Sequence, residues 1–145
     1  MSVGDERGPD GRTRAAEGIV HGVPMIAVED VRASADWYCQ LLGCRSDRVS
    51  DEFDRLRDGD GILLLLHARR AGEHGAWAAV APEQPGDGFL LWFLVDDFDA
   101  VHRNASSLRA EILVAAHRNE ADDARELVLR DPDGYALAIT EHPSD

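Results

Sequence analysis

The sequence predicts an α+β domain built from two tandem βαβββ modules, whose strands form a curled mixed sheet around a cup with the helices on the outer face. Three observations predict this fold. An order of strand, amphipathic helix and further strands occurs twice along the chain. An acidic helix start and a DxDG turn recur at matching places in both halves. The principal strands are apolar on both faces, which requires a covering layer on each side of the sheet.

The domain boundaries follow from changes in composition. The first residues are rich in Gly, Arg, Asp and Glu without hydrophobic periodicity, which predicts a mobile tail over 1–18. The rest, 19–145, is expected to be one domain, and a chain of this length buries roughly 70% of its unfolded surface. Within the domain, module 1 covers about 19–70, a turn-rich linker containing PEQPGDG covers about 71–88, and module 2 covers about 89–142.

Module 1 begins with a strand that starts at Ile19 and runs through VHGVPMIAV. Asp30 then offers an N-cap for a helix to about Leu42, where Gly43 is placed to end it. Apolar side chains at near-helical spacing predict one broad buried face, made of Val31, Ala35, Trp37, Tyr38, Leu41 and Leu42. Polar segments with Phe53 and Leu56 predict two modest strands, and DGDGILLLLHA supplies a turn and a strongly apolar strand.

Module 2 repeats this order. FLLWFLV predicts an apolar strand, and Asp97 caps a helix after it. The buried stripe of that helix consists of Phe98, Val101, Ala105 and Leu108. EILVAA and ELVLR predict two strands, and DPDGYALAIT predicts a turn followed by the last apolar strand. The aspartates of this turn, Asp131 and Asp133, are expected to serve its backbone geometry.

Two landmarks fix the correspondence between the modules. The helix starts at 28–30 and 95–97 stand 67 residues apart, and the DxDG turns at 58–61 and 131–134 stand 73 apart. Strand residues at these offsets are therefore expected to occupy equivalent places in the two sheets. The equivalent pairs are Val23 with Leu90, Met25 with Trp92, Leu65 with Ala138, and His67 with Thr140.

Period-2 alternation separates the strand residues into two faces. The face assigned to the cup carries Val23, Met25, Ala27, Leu65, His67, Leu90, Trp92, Leu94, Ala136, Ala138 and Thr140. The face assigned to the helices carries Ile26, Val28, Leu64, Leu66, Leu91, Phe93, Val95, Leu137 and Ile139. Because the cup face is also apolar, a ligand, the curled sheet or a partner chain is expected to cover it. Pro24 cannot donate a ladder hydrogen bond, so the first strand is placed at a module edge.

Composition excludes several function classes. The net charge of -13 makes nucleic acid an unfavourable partner, although it would attract a cationic ligand weakly. All 15 basic residues are Arg, so Schiff-base chemistry and lysine general bases are excluded.

The start has no signal-peptide pattern and no segment is apolar enough to span a membrane, so a soluble cytoplasmic protein is expected. Cys39 and Cys44 have no second pair to complete a zinc site and are expected to be packing thiols.

Three segments carry a resemblance to a known family. AVEDVRASADWYCQLLG, LVDDFDAVH and RDPDGYALAITEH resemble the vicinal-oxygen-chelate superfamily of glyoxalase I, bleomycin-resistance proteins and extradiol dioxygenases, and the resemblance covers roughly 19–142. For metal-using members, it implies two His or Glu ligands on the first and last strands of each module. The matching positions are Val23, Leu65, Leu90 and Ala138, none of which can bind a divalent cation. The expectation is therefore a member without metal or other cofactor. The resemblance also implies a homodimer, because members of this superfamily commonly assemble as dimers.

The candidate site residues lie on the cup face and in the linker. Those expected to contact a ligand are Val23, Met25, Leu65, His67, Trp77, Leu90, Trp92, Ala138 and Thr140. Trp92 beside Met25 would offer a stacking surface, and Trp77 would close the cup as a lid or form a dimer contact. His67 is a weak candidate for a general base, and a displaced metal site of His21, His67 and His74 is the other use of histidine.

The sequence is compatible with three functions. The first is a binding protein that holds a small hydrophobic or aromatic molecule, with an antibiotic as one candidate, in an apolar, metal-free cup. The second is an enzyme of lyase, isomerase or dioxygenase type that uses His67 or a displaced metal site. The third is an interaction module whose apolar face is a dimer or partner surface. The sequence leaves open which ligand is bound and whether one chain or two form the cup.

Overall fold

The computed structural model describes residues 20–69, 88–121 and 123–142. The predicted tail over 1–18 and the predicted linker up to residue 87 lie outside the described residues. The elements in chain order are β1 (Met25–Val28), α1 (Val31–Leu42), β2 (Arg45–Ser46), β3 (Phe53–Asp58), β4 (Gly61–Ala68), β5 (Leu90–Val95), α2 (Phe98–Ser107), β6 (Glu111–Asn119), β7 (Ala124–Arg130) and β8 (Ala136–Glu141). The two βαβββ modules of an α+β fold are therefore confirmed.

Each module forms one mixed sheet of four strands. The strand order is β1-β4-β3-β2 in module 1 and β5-β8-β7-β6 in module 2. The first and last strands of each module run parallel, and the other neighbours run antiparallel. Met25 lies opposite Leu65 in β4, and its repeat counterpart Trp92 lies opposite Ala138 in β8. The register predicted from the two offsets is therefore confirmed.

Both helices begin at the predicted N-caps, and α1 also ends at its predicted glycine. The side chains of Asp30 and Asp97 each accept a hydrogen bond of 3.0 Å, from the backbone N–H of Ala33 and Ala100 respectively. Gly43 ends α1 in the left-handed region, at φ 73°, where residues with a side chain are strained. Among the described residues, no helix has the length and apolar character needed to cross a membrane.

The core lies between the helices and one face of the two sheets. The strand residues buried there include Ile26, Val28, Leu64, Leu66, Leu91, Leu137 and Ile139, as predicted for the helix face. From α1 the core receives Val31, Ala35, Tyr38 and Leu41, and from α2 it receives Phe98, Val101 and Ala105. Trp37 and Leu42 are only partly buried at the margin of this core. The periodicity therefore assigned the face of α1 correctly and overestimated its width.

The start of the first strand was predicted wrongly. β1 begins at Met25, the described residues 20–24 before it are not strand, and Ile19 lies outside the described residues. Pro24 has no N–H for a ladder bond, although its carbonyl accepts a bond of 2.9 Å from Leu65 N–H. The ladder therefore weakens at Pro24, and β1 has four residues where its counterpart β5 has six. β1 lies at the edge of its sheet, as predicted.

The DPDG turn of module 2 packs against the β1–α1 junction of module 1. The backbone N–H of Glu29 donates to Asp133 Oδ1 at 2.8 Å, and the hydroxyl of Tyr135 donates to the carbonyl of Ala27 at 2.9 Å. Tyr38 in α1 donates from its hydroxyl to the buried carboxylate of Asp131 at 2.5 Å. The turn aspartates are therefore structural, and they join the two modules as well as shaping the turn.

Candidate functional site

The cup face of the sheets carries large apolar side chains that a single chain leaves open to solvent. We call this face, opposite the helices, the ligand face. The exposed fraction is 39% for Met25, 53% for Leu90, 58% for Trp92 and 45% for Leu94. Large apolar groups this close together on a surface are typical of binding sites and interfaces. The alternation of β5 explains the arrangement, because Leu91 between these residues is buried in the core.

Small or partly polar side chains lie between the exposed ones. Ala138 and Thr140 of β8 are buried beside Trp92, and Ala27 and His67 are buried in module 1. Leu65 is half-buried on the neighbouring strand, and Val23 is half-buried just before β1. The predicted residues thus form two groups: Met25, Leu65 and His67 in module 1, and Leu90, Trp92, Ala138 and Thr140 in module 2.

Trp92 is fixed by a hydrogen bond within this face. Its indole Nε1–H donates to the Thr140 hydroxyl at 2.8 Å. Thr140 lies two residues beyond Ala138, which is the direct partner of Trp92 in β8, so the bond is diagonal across neighbouring strands. The bond orients the ring while more than half of the side chain stays accessible. Trp92 can therefore offer a stacking surface with little further loss of side-chain freedom.

A groove of about 390 Å³ runs along β5 beside the ligand face. Its lining includes Leu90 and Trp92, together with Pro24, Ile62 and Phe89. Met25, Leu65, Ala138 and Thr140 do not line this groove. Leu90 and Trp92 therefore share a groove, and Met25, Leu65, Ala138 and Thr140 lie in the strands outside it.

His67 is the buried titratable side chain of the ligand face in module 1. Its neighbours across the ladder are Ala27 in β1 and Phe53 in β3. Nδ1 of His67 lies 2.9 Å from the carbonyl oxygen of Ala68, a contact that favours a proton on Nδ1. This geometry orients the ring, as a general base would require.

Two arginines of β3, Arg55 and Arg57, form a cluster in module 1 that was not predicted from the sequence. Arg55 in β3 lies opposite Leu65 and is therefore on the ligand face. Arg55 and Arg57 donate from Nε to Asp47 Oδ2 at 2.9 Å and 2.8 Å. These bonds, with that from Arg57 the larger effect, hold the pKa of the Asp47 carboxyl below its ordinary value. The alternating segment FDRLRD contains the signal for this cluster, because it places both arginines on one face.

The positions that resemblance assigned to metal ligands carry no ligand atoms. Val23, Leu65, Leu90 and Ala138 have only carbon in their side chains, so these residues do not fit a divalent cation. Across 20–69, 88–121 and 123–142, no group of three or more His, Cys, Asp or Glu side chains is placed to hold a metal ion.

Two residues of the predicted site cannot be placed. His74, a member of the displaced metal site, and Trp77, the predicted lid, lie outside the described residues. Of the other two histidines of that displaced site, His21 is exposed ahead of β1, whereas His67 is buried in β4.

Solved structures of other proteins share this fold. A protein of unknown function from Agrobacterium tumefaciens str. C58 has 24% identity and a TM-score of 0.72, with 88% of this chain and 98% of that chain covered. A glyoxalase/bleomycin resistance protein/dioxygenase family enzyme from Burkholderia phytofirmans PsJN has 24% identity and a TM-score of 0.68, with 81% and 94% covered. A bleomycin resistance determinant encoded on the transposon Tn5 has 19% identity and a TM-score of 0.59, with 87% and 100% covered.

The sequence itself matches a family model over most of its length. No protein among those with curated descriptions matches the chain. The model of the glyoxalase/bleomycin resistance protein/dioxygenase superfamily, however, matches residues 18–139. This range includes both helices, all strands of module 1 and both DxDG turns. The chain therefore belongs to the glyoxalase/bleomycin resistance protein/dioxygenase superfamily.

Proposed function

We propose that this protein binds a small hydrophobic or aromatic molecule on the ligand face, without a metal ion. One observation carries the proposal: Trp92 is 58% exposed yet oriented by its bond to Thr140, with Leu90 and Leu94 exposed beside it in the same strand. A planar ligand stacked on Trp92 would cover apolar surface that is otherwise in water, at roughly 25 cal/mol for each Å² buried.

An antibiotic is the first ligand class to test. The support is the structural likeness to the bleomycin resistance determinant of transposon Tn5, a protein of the same fold. The net charge of -13 adds support for a cationic drug, because it raises the local concentration of cations near the surface. A ligand with both a planar apolar part and a positive charge fits these two observations best.

The ligand titration uses tryptophan fluorescence of the full chain. Bleomycin and a panel of neutral and cationic aromatic compounds are added to the Trp37→Phe variant, which removes a tryptophan away from the ligand face. We expect saturable quenching, and Trp92→Leu in the same background should weaken binding roughly tenfold because the stacking surface is lost. Thr140→Val, which removes only the bond to Trp92, should weaken it less. If none of these compounds gives a response that depends on Trp92, the proposal is wrong.

The metal-free part of the proposal has its own measurement. Protein purified without chelators is analysed for transition metals, and we expect less than stoichiometric metal because the four implied positions are aliphatic. His67→Ala serves as the comparison variant. Stoichiometric metal that disappears in His67→Ala would instead establish the displaced site.

An enzyme of lyase, isomerase or dioxygenase type is the second candidate. The specific observation in its favour is His67, a buried histidine on the ligand face whose Nδ1 faces the Ala68 carbonyl. A proton on Nδ1 would give the other ring nitrogen, Nε2, the lone pair that a base uses. Activity that is lost in His67→Ala while ligand binding persists would favour this candidate over simple binding.

A homodimer would also cover the exposed side chains of the ligand face. The superfamily membership motivates this assembly, and the third candidate, an interaction module, would use the same surface for a partner chain. Homodimer formation, cytoplasmic location and the lack of a nucleic-acid partner stay predictions.

A further inference from the structure

The repeat gives the two modules two equivalent junctions, which combine the same kinds of element but carry different side chains. At the junction described above, the rings of Tyr38 and Tyr135 are buried, and their hydroxyls reach Asp131 and the Ala27 carbonyl. The repeat places a second junction where the DGDG turn of module 1 meets the end of β5 and the start of α2. The two offsets make its residues directly comparable with those of the first.

The second junction lacks both tyrosine rings. Ala105 in α2 occupies the place of Tyr38 in α1, because both helices start at the same point of the repeat. Ile62 occupies the place of Tyr135 and is exposed, with 37% of its surface accessible. The second junction therefore has no aromatic ring at either position that could reach the counterparts of Asp131 and Ala27.

A groove of about 540 Å³ lies at this second junction. Its lining includes Asp58 and Leu94, which are the repeat counterparts of Asp131 and Ala27, the two residues that accept the tyrosine hydroxyl bonds in the first junction. The groove is thus located where the missing rings would have bonded. Its volume is within the range of about 300–1,000 Å³ typical of small-molecule sites.

The groove combines an apolar floor with an acidic rim. Leu63, Phe93 and Val101 contribute apolar surface from β4, β5 and α2. The carboxylates of Asp58 and Asp96 lie at the same groove, and no arginine lines it. Across the described parts of the chain, neither carboxylate forms a side-chain hydrogen bond or an ion pair, whereas Asp97 caps α2. Two carboxylates are therefore available for a cation beside a surface that suits an aromatic ring.

We propose that this junction groove is a second binding site, which takes a small molecule consisting of an aromatic ring with an attached ammonium group. The ring would occupy the space that tyrosine fills in the first junction, and the ammonium would pair with Asp58 and Asp96. The groove adjoins the one along β5, and Leu63, Phe93 and Leu94 line both. Asp58, Asp96 and Val101 line only the junction groove, whereas Trp92 lines only the other. The inference rests on these two carboxylates and not on the stacking surface of the proposed function.

The test uses the full chain labelled with ¹⁵N and two probes of equal shape, the phenethylammonium ion and neutral 2-phenylethanol. We expect phenethylammonium to shift, in a saturable manner, the amide signals of Val95–Asp97 and Ala100, which line the junction groove and not the one along β5. 2-Phenylethanol should bind at the same signals roughly two- to fivefold more weakly, as expected for loss of a partly exposed ion pair. Absence of saturable shifts, or shifts confined to the Trp92 face, would overturn the proposal.

Matched variants connect the binding to the groove. Asp58→Asn should weaken phenethylammonium binding roughly two- to fivefold and leave 2-phenylethanol binding unchanged. Asp60→Asn removes a charge two residues away that does not line the groove, and it should change neither. Ala100→Trp places a large side chain in the groove from the first turn of α2, where Ala100 is half-buried, and should abolish binding of both probes. Equal effects of Asp58→Asn and Asp60→Asn, or undiminished binding in a folded Ala100→Trp variant, would refute the assignment.

Discussion

At the scale of single residues, Asp131 shows how burial and hydrogen bonding compete. Its carboxylate accepts bonds from the Tyr38 hydroxyl and from the backbone N–H groups of Asp133 and Tyr135. Burial disfavours the charged form more than these bonds favour it, so the pKa of Asp131 is raised above its ordinary value of 3.8. The same burial raises the pKa of the Tyr38 hydroxyl well above its ordinary value. The hydrogen bonds therefore fix the position of the Asp131 carboxyl group, while loss of solvent destabilises its charged form.

The raised pKa of Asp131 gives stability a definite pH dependence. The folded state binds the proton of the Asp131 carboxyl group more tightly than the unfolded state does. The contribution of this protonation to the free energy of unfolding is therefore complete below pH 3.8 and is lost as the pH rises through the raised pKa. Asp131→Asn cannot titrate, so the stability advantage of the wild type over this variant should shrink over the pH range that begins at about pH 4 and extends upward. Urea unfolding of both proteins across that range measures the difference. An advantage that grows with pH would contradict the prediction.

At the scale of elements, local signals determined what the sequence could predict. Asp30, Asp97 and Gly43 mark helix ends through bonds to nearby backbone, so they are readable without the fold. The start of β1 was missed because apolar residues also precede Pro24, where the ladder weakens. The exposure of Trp92, the arginine cluster on Asp47 and the junction groove depend on packing between elements. The face assignments, in contrast, followed from alternation alone and were correct for the core.

The two helix caps make a matched pair of predictions. Asp30→Ala and Asp97→Ala each remove a side-chain acceptor from a helix N-terminus, and each should lower the free energy of unfolding by about 1 kcal/mol. Glu52→Ala, at an exposed position before β3, is the control and should change it by less than about 0.5 kcal/mol. Denaturant unfolding provides the values. A cap variant no less stable than the control would show that the bond to Ala33 or Ala100 contributes nothing.

At the scale of the whole molecule, the modules are joined by contacts between residues far apart in sequence. Asp133 bonds to the Glu29 N–H, 104 residues away, and its other oxygen accepts from the Ser34 hydroxyl at 3.3 Å. Asn104 in α2 donates from its side-chain amide to the Leu41 carbonyl at 3.1 Å, near the end of α1. These polar contacts therefore add to the shared hydrophobic core in fixing the relative position of the two modules.

Asp133 and its repeat counterpart Asp60 allow this dependence to be measured. Asp133→Ala should lower the free energy of unfolding by about 1–2 kcal/mol and speed hydrogen exchange of the Glu29 amide, because that N–H loses its partner. Asp60→Ala removes the equivalent side chain from the first turn, where it is exposed, and should be nearly neutral. Unchanged exchange at Glu29 in Asp133→Ala would show that the turn does not secure the junction.

The DPDG turn contacts residues about a hundred positions earlier in the chain, so the junction it forms cannot be completed early in synthesis. When module 1 leaves the ribosome, the acceptor for the Tyr38 hydroxyl and the acceptor for the Glu29 N–H have not yet been translated, because both belong to the turn at 131–134. The β1–α1 junction can therefore close only after nearly the entire chain has emerged. Contacts of such high sequence separation form late and slowly. Premature termination within module 2 would accordingly release a first module whose own junction is incomplete.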